Sequence, residues 1–142
     1  TIRDREGGFV QRYREEGIEL FARYVGEYSY ETGYSAARQI LDQSEIPDGV
    51  FCAVDEIAVG FYDCANRDFG LSIPEDLSLV GFDDQPAAGY KHYNLTSYAQ
   101  PVKEMVAVAV ETIHAALQEE RNETVMKFLK GSLVQRGSVA PR

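Results

Sequence analysis

Two adjacent acids, Asp83 and Asp84, follow the apolar run Leu77 to Phe82 in the stretch IPEDLSLVGFDD. In an α/β sheet, side chains just past the carboxyl end of a strand face the ligand crevice. A carboxylate pair there is a ready acceptor for hydroxyl groups, through short, directional, charge-assisted hydrogen bonds. The same two acids are also suited to capping the turn that follows. Other junctions supply further polar groups. Glu27 and Tyr28 follow the run Leu20 to Val25, and Asp55 follows Val50 to Val54. Gln100 follows Leu95 to Tyr98, and Arg3 and Arg5 open the first helical stretch. In a parallel sheet all of these line one crevice. Arginine, carboxylate, amide and aromatic ring together suit a polyhydroxylated ligand, the ring covering an apolar face and the charged groups binding hydroxyls. Asp55 also has the residue type and position of a helix N-cap.

Catalytic constellations are poor. No G-x-S-x-G elbow occurs, and no phosphate-binding loop follows a strand. Gly7 and Gly8 lie inside the first helical stretch. Asp83 and Asp84 make a weak acid–base pair, because adjacent residues on a strand end point apart. His92 and His114 are isolated from each other and from Cys52 and Cys64, which lack metal-ligand spacing. The reading is therefore no enzyme, no metal and no cofactor. Cys52 and Cys64 read as buried free thiols, which suits a reducing compartment.

These groups need elements to position them. Asp4 to Glu16 reads as a helix stopped by Gly17. Leu20 to Val25 reads as a strand and Tyr30 to Gln43 as a helix, with Ala36, Ala37, Ile40 and Leu41 at helical spacing. Val50 to Val54 reads as a strand. A helix then runs from Asp55 to about Phe69 and closes at Gly70. Leu77 to Phe82 and Leu95 to Tyr98 read as strands. A long helix from Pro101 to about Glu120 follows, then strands at Val125 to Leu129 and Leu133 to Gln135. The alternation predicts an α/β fold: a doubly wound, mainly parallel sheet with helices on both faces. The continuous apolar runs FCAV and LSLVGF fit strands buried on both sides. In the helix Glu56 to Phe69, Ile57, Phe61, Ala65 and Phe69 form a stripe suited to the sheet. Val59 and Tyr62 lie off that stripe. Either this chain or a second subunit covers them.

The chain has 142 residues, enough for one domain with a core, and a net charge of −9. That acidity argues against a DNA-binding surface on this segment, since phosphate contacts need clustered Lys and Arg. No apolar run is long enough to span a membrane, and no signal peptide is visible. The first residue is Thr1 rather than Met, so upstream sequence is expected.

Six stretches, in order along nearly the whole chain, carry a family resemblance: RDREGGF, GEYSYETGYSAARQIL, PDGVFCAVDEIAVG, GLSIPEDLSLVGFDD, LTSYAQPVKEM and SLVQRGS. The chain resembles the effector-binding core of the LacI/GalR family of bacterial transcription regulators. The resemblance implies a periplasmic-binding-protein-like fold of type I, here its C-terminal part, over residues 1–142. It implies that Arg5 binds the effector, that Tyr28 stacks on it, that Asp83 takes its hydroxyls or ring nitrogens, and that Gln100 lines the cleft. With Asp55 these are the expected ligand-binding residues. Many members carry an asparagine where Val54 stands, so one polar contact is absent. The helix Glu56 to Phe69 is assigned to a dimer interface formed by Val59, Tyr62 and Tyr90, the last in the loop Ala87-Ala88-Gly89-Tyr90. The resemblance also implies that a helix-turn-helix DNA reader, a hinge, most of the first subdomain and a strand before Thr1 lie outside this sequence. Val125 to Leu129 resembles a stretch that crosses toward that first subdomain.

The resulting expectation is the effector-sensing and dimerising portion of a cytoplasmic regulator. It would bind a sugar or sugar derivative and reach operator DNA through the N-terminal reader, with no membrane partner. The alternative is a periplasmic solute-binding protein or receptor ectodomain of the same fold. A helix-turn-helix upstream of Thr1 would favour the first reading and a signal peptide the second.

Overall fold

The computed structural model of the chain describes residues 2–119 and 126–141. Helix α1 spans Ile2–Glu15. Helix α2, Tyr30–Leu41, starts at an extended Ser29 whose hydroxyl accepts a hydrogen bond from the Thr32 N–H. Strand β1 is Gly49–Phe51 and helix α3 is Asp55–Phe69. Gly70 ends α3 at φ 67°, the left-handed conformation that glycine adopts without a Cβ penalty. Strand β2 is Ser78–Asp83, and a short 3-10 turn covers Pro86–Gly89. Strand β3 is Thr96–Ala99, helix α4 is Val102–Glu119 and strand β4 is Ser132–Val134.

The strands form one sheet in the order β1-β2-β3-β4. β1, β2 and β3 run parallel, and β4 is antiparallel to β3. This is the mainly parallel α/β sheet that the alternating pattern predicts. Side chains alternate across it. Phe51 stands in register with Val80 and stacks on Phe9 of α1, ring centroids 4.7 Å apart. Phe82, two residues on, lies under Arg5 of α1. Gly81 points the other way, toward Asp55 of α3. Helices α1 and α3 therefore cover opposite faces.

Phe61, Cys64 and Ala65 of α3 join Ala36, Ala37 and Leu41 of α2 and Leu77, Leu79 and Leu95 around the sheet in one buried cluster. The helices α2 and α3 meet backbone to backbone. A Cβ at Gly33 would collide with the Ile57 carbonyl, and one at Gly60 with the Tyr30 carbonyl. Only glycine permits that approach. The α3 stripe predicted for the sheet is thus shared with α2, and Ile57 and Phe69 pack at its margin.

Among the described residues, two predicted strands do not form. Residues 18–27 contain neither helix nor strand, and Leu20, Phe21, Tyr24 and Val25 are exposed. A strand persists only where its N–H and C=O groups find a ladder. Among the described residues, no backbone hydrogen bond joins 19–28 to the sheet, and β1 pairs only with β2. A cavity of about 670 Å³ separates this segment from β1, with Leu20, Tyr24, Val50 and Phe51 among its walls. Residues 126–129 are likewise no strand, with Phe128 90% exposed, while Val125 lies outside the described residues.

Candidate functional site

The carboxyl ends of β1 and β2 meet the first turn of α1. There Arg5 forks onto Asp83: Nη1 donates to Oδ2 at 3.2 Å, and Nη2 lies 3.0 Å from Oδ1. Nη1 also donates to the Ala53 carbonyl at 2.8 Å, tying α1 to the end of β1. The guanidinium carbon sits 4.0 Å over the Phe82 ring, a cation–π contact. Phe82 in turn leans on Tyr98, centroids 5.0 Å apart. Gln100 Nε2 donates to Asp83 Oδ1 at 2.5 Å. The Arg5 and Asp83 side chains are 19% and 18% exposed, so the pair is largely desolvated yet reachable from solvent. A carboxylate acceptor, a guanidinium donor and an amide stand together over an aromatic floor. That set can bind vicinal hydroxyls or a polar ring edge, donating to one group and accepting from the next.

The backbone that presents Asp83 is strained. Asp83 has φ 105° and Asp84 φ 51°. Residues other than glycine held in such regions cost about 1–3 kcal/mol each and persist only where the surroundings over-determine them. Asp55 is fully buried close by. Its Oδ1 accepts from the Ser97 hydroxyl at 2.6 Å and its Oδ2 from the Gln85 N–H at 2.7 Å. The Ser97 oxygen accepts from the Asp84 N–H at 3.0 Å. Burial pushes the Asp55 carboxyl above its ordinary range. The bonds from Ser97 and Gln85 pull it back down, and the nearby Asp83 and Asp84 charges push it up. Arg136 Nη2 lies 2.7 Å from Asp84 Oδ1.

Of the residues singled out in the sequence, Arg5, Asp83 and Gln100 come together. Tyr28 does not join them. It is 60% exposed on the irregular segment before α2 and borders the cavity beside β1. Asp55 is neither a cap nor a surface group. Val54 occupies the N-cap position of α3, and the buried Asp55 carboxylate presents no surface to a ligand. Phe82, Ser97 and Arg136 were not anticipated as contributors. Phe82 carried a signal in its place beside Asp83, whereas Ser97 and Arg136 act across 13 and 52 residues of sequence, counted as 97 − 84 and 136 − 84.

Residues 1–139 match the family described as the periplasmic binding protein-like domain. The chain belongs to that family. This periplasmic-binding-protein-like domain is 33% identical over 138 residues to the HTH-type transcriptional repressor PurR of Erwinia tasmaniensis, covering 96% of the chain and 40% of that repressor. It is 34% identical over 133 residues to the HTH-type transcriptional repressor CytR of Escherichia coli K12, covering 92% of the chain and 39% of that protein. The chain thus spans about 40% of the length of these curated relatives. Among solved structures, a LacI family transcriptional regulator from Enterococcus faecium with bound ribose superposes with a TM-score of 0.86 at 29% identity, over 99% of this chain and 52% of that one. A regulatory protein of the LacI family from Chloroflexus aggregans gives 0.87 at 28% identity, over 97% and 50%. The resemblance to the LacI/GalR core read from the sequence motifs is borne out by these proteins.

The off-stripe face of α3 in this periplasmic-binding-protein-like domain is partly covered by the chain itself. Tyr62 packs edge-on against His92 and Tyr93, at 5.2 and 5.3 Å. Val59 is half-buried and Tyr90 is 59% exposed. Both cysteines are free and buried. Among the described residues, no helix is long and apolar enough to cross a membrane.

Proposed function

We propose that residues 1–142 form the C-terminal part of the effector-binding core of a bacterial DNA-binding transcription regulator. The effector is a small polar metabolite, a sugar or sugar derivative, held by Arg5, Asp83 and Gln100, and Tyr28, on the wall of the neighbouring cavity, is the aromatic proposed to stack on it. The observation that carries this reading is the Arg5–Asp83–Gln100 constellation at the ends of parallel strands, over Phe82. The relatives named as repressors, and the ribose bound to the Enterococcus faecium regulator, support it. The regulator dimerises through Val59, Tyr62 and Tyr90, works in the cytoplasm, and reaches a two-fold-related operator through an N-terminal reader. This acidic segment makes no specific DNA contact of its own. It does no chemistry on its ligand.

Effector binding then acts by favouring one placement of the two subdomains, a coupling of about 1–3 kcal/mol that is reciprocal by thermodynamic necessity. The test is an effector titration of the full-length protein with and without operator, beside Val59→Asp, which buries an unpaired charge at the proposed interface. The wild type should show an effector affinity that shifts about 5–150-fold with operator, and Val59→Asp should sediment as a monomer with weakened operator binding. Identical effector affinity in both conditions would overturn the regulator reading in favour of a solute receptor. An unaltered dimer in Val59→Asp would place the interface elsewhere.

A further inference from the structure

We propose that Asp55, Ser97 and Arg136 are positioning residues that hold the strained Asp83–Asp84 turn so that the Asp83 carboxylate stays aimed at the ligand. The inference rests on the reading of Asp83 as the ligand carboxylate. The groups that bind the Asp83 side chain, Arg5 and Gln100, are the ones a ligand would compete for. They cannot also guarantee the backbone when ligand takes their place. Two consecutive residues at φ 105° and 51° need a restraint that does not depend on the Asp83 side chain.

Three elements supply it. From α3, Asp55 accepts the Gln85 N–H, and from β3, Ser97 accepts the Asp84 N–H while donating its own proton to Asp55. Both acceptor side chains are fully buried, so each bond is anchored on its interior side. Gly81 leaves the room for this arrangement, since a Cβ there would collide with the Asp55 carboxylate. Arg136, just past β4, holds the Asp84 side chain. Arg136 is itself fixed: Nη1 donates to the Leu95 carbonyl at 2.7 Å, and its backbone N–H donates to Thr96 Oγ1 at 2.9 Å. Asp55 and Ser97 bond to Gln85, to Asp84 and to each other, Arg136 bonds to Leu95 and Thr96 and pairs with Asp84 by charge, and the Asp83 carboxylate is left to Arg5 and Gln100. Their action on the ligand group is therefore through the backbone.

The test compares wild type with Ser97→Ala, Arg136→Ala and the conservative Arg136→Lys by amide hydrogen exchange, then by titration with D-ribose. Ser97→Ala should lower the protection of the Asp84 and Gln85 amides by about tenfold, the scale of one buried hydrogen bond. The Leu79 amide, bonded to the Ser138 carbonyl at 2.7 Å, should stay protected, which separates this effect from a general loosening. Arg136→Ala should weaken protection at Asp84, and Arg136→Lys should restore most of it. D-ribose affinity should fall in step with Asp84 protection across the series. Unchanged Asp84 and Gln85 protection in both Ser97→Ala and Arg136→Ala would overturn the proposal, as would lost protection with ribose affinity intact. Should the wild type bind no ribose, that result counts against the sugar reading of the site, and the exchange data alone decide the positioning claim.

Discussion

The same kinds of residue meet opposite fates in two regions of this molecule. Around β2, β3 and α3, Leu79 and Leu95 are 0% and 1% exposed, and Phe61 is 1%. Along residues 18–27 and on α4, Val25 is 68% exposed, Val110 61% and Leu117 78%. Both regions carry regular apolar patterns: alternate residues of β2 are buried, and Val102, Val106, Val110, Ile113 and Leu117 recur at helical spacing on α4. The difference is the partner. β2 has a ladder on each side, and α3 has α2 and the sheet. Residues 19–28 have no ladder among the described residues. A pattern states what a segment is able to bury, and the neighbour decides whether it does.

Truncation in the two regions should break the molecule unequally. Leu79→Ala removes a fully buried side chain and should cost about 2–5 kcal/mol of stability, with a residual cavity adding to the lost burial. Leu20→Ala, at an exposed site, should stay within about 0.5 kcal/mol. Urea unfolding of both variants measures this, and equal losses would erase the distinction between the regions.

A smaller effect, confined to the packed region, concerns alkaline pH. Burial pushes the Cys52 thiol from 9.0 to about 12, with the Asp55 charge adding to it. Burial, then the hydrogen bond to Asp63, pushes the Tyr30 phenol from 10.0 to about 12. Both groups hold their protons more tightly folded than unfolded. Their contribution to stability is therefore complete below pH 9 and is lost as pH rises from 9 to about 12. Thermal melts across that window should show the decline, and Cys52→Ala should make the part that starts near pH 9 shallower, leaving the share of the Cys64 thiol, which burial pushes up to about 11. A decline of the same shape in Cys52→Ala would remove the thiol from the account.

Local signals were legible in the sequence. Gly70 ended α3, the apolar run before Asp83 was a strand, and Arg5, Asp83 and Gln100 were brought to one crevice by assuming a parallel sheet. Signals that depend on distant partners were not. Leu20 to Val25 has strand composition, but pairing is non-local and the ladder did not form. Asp55 has an ideal cap type and place. Only the fold reveals that Ser97, 42 residues on, takes its carboxylate instead. The apolar pattern alone leaves Val59 and Tyr62 open to this chain or a partner, the family resemblance assigns them to a dimer interface, and Tyr62 has His92 and Tyr93 of its own chain beside it.

The central claim is that Arg5 and Asp83 form the ligand site. Its most direct test is calorimetric titration of the protein with effectors identified by a thermal-shift screen of sugars and sugar derivatives, beside Asp83→Ala and Arg5→Ala. Asp83→Ala should weaken binding by about 1.5–3 kcal/mol, the scale of a hydrogen bond to a charged group, and Arg5→Ala should weaken it comparably. Unchanged affinity in both variants, each still folded, would contradict the account and move the ligand away from the ends of β1 and β2.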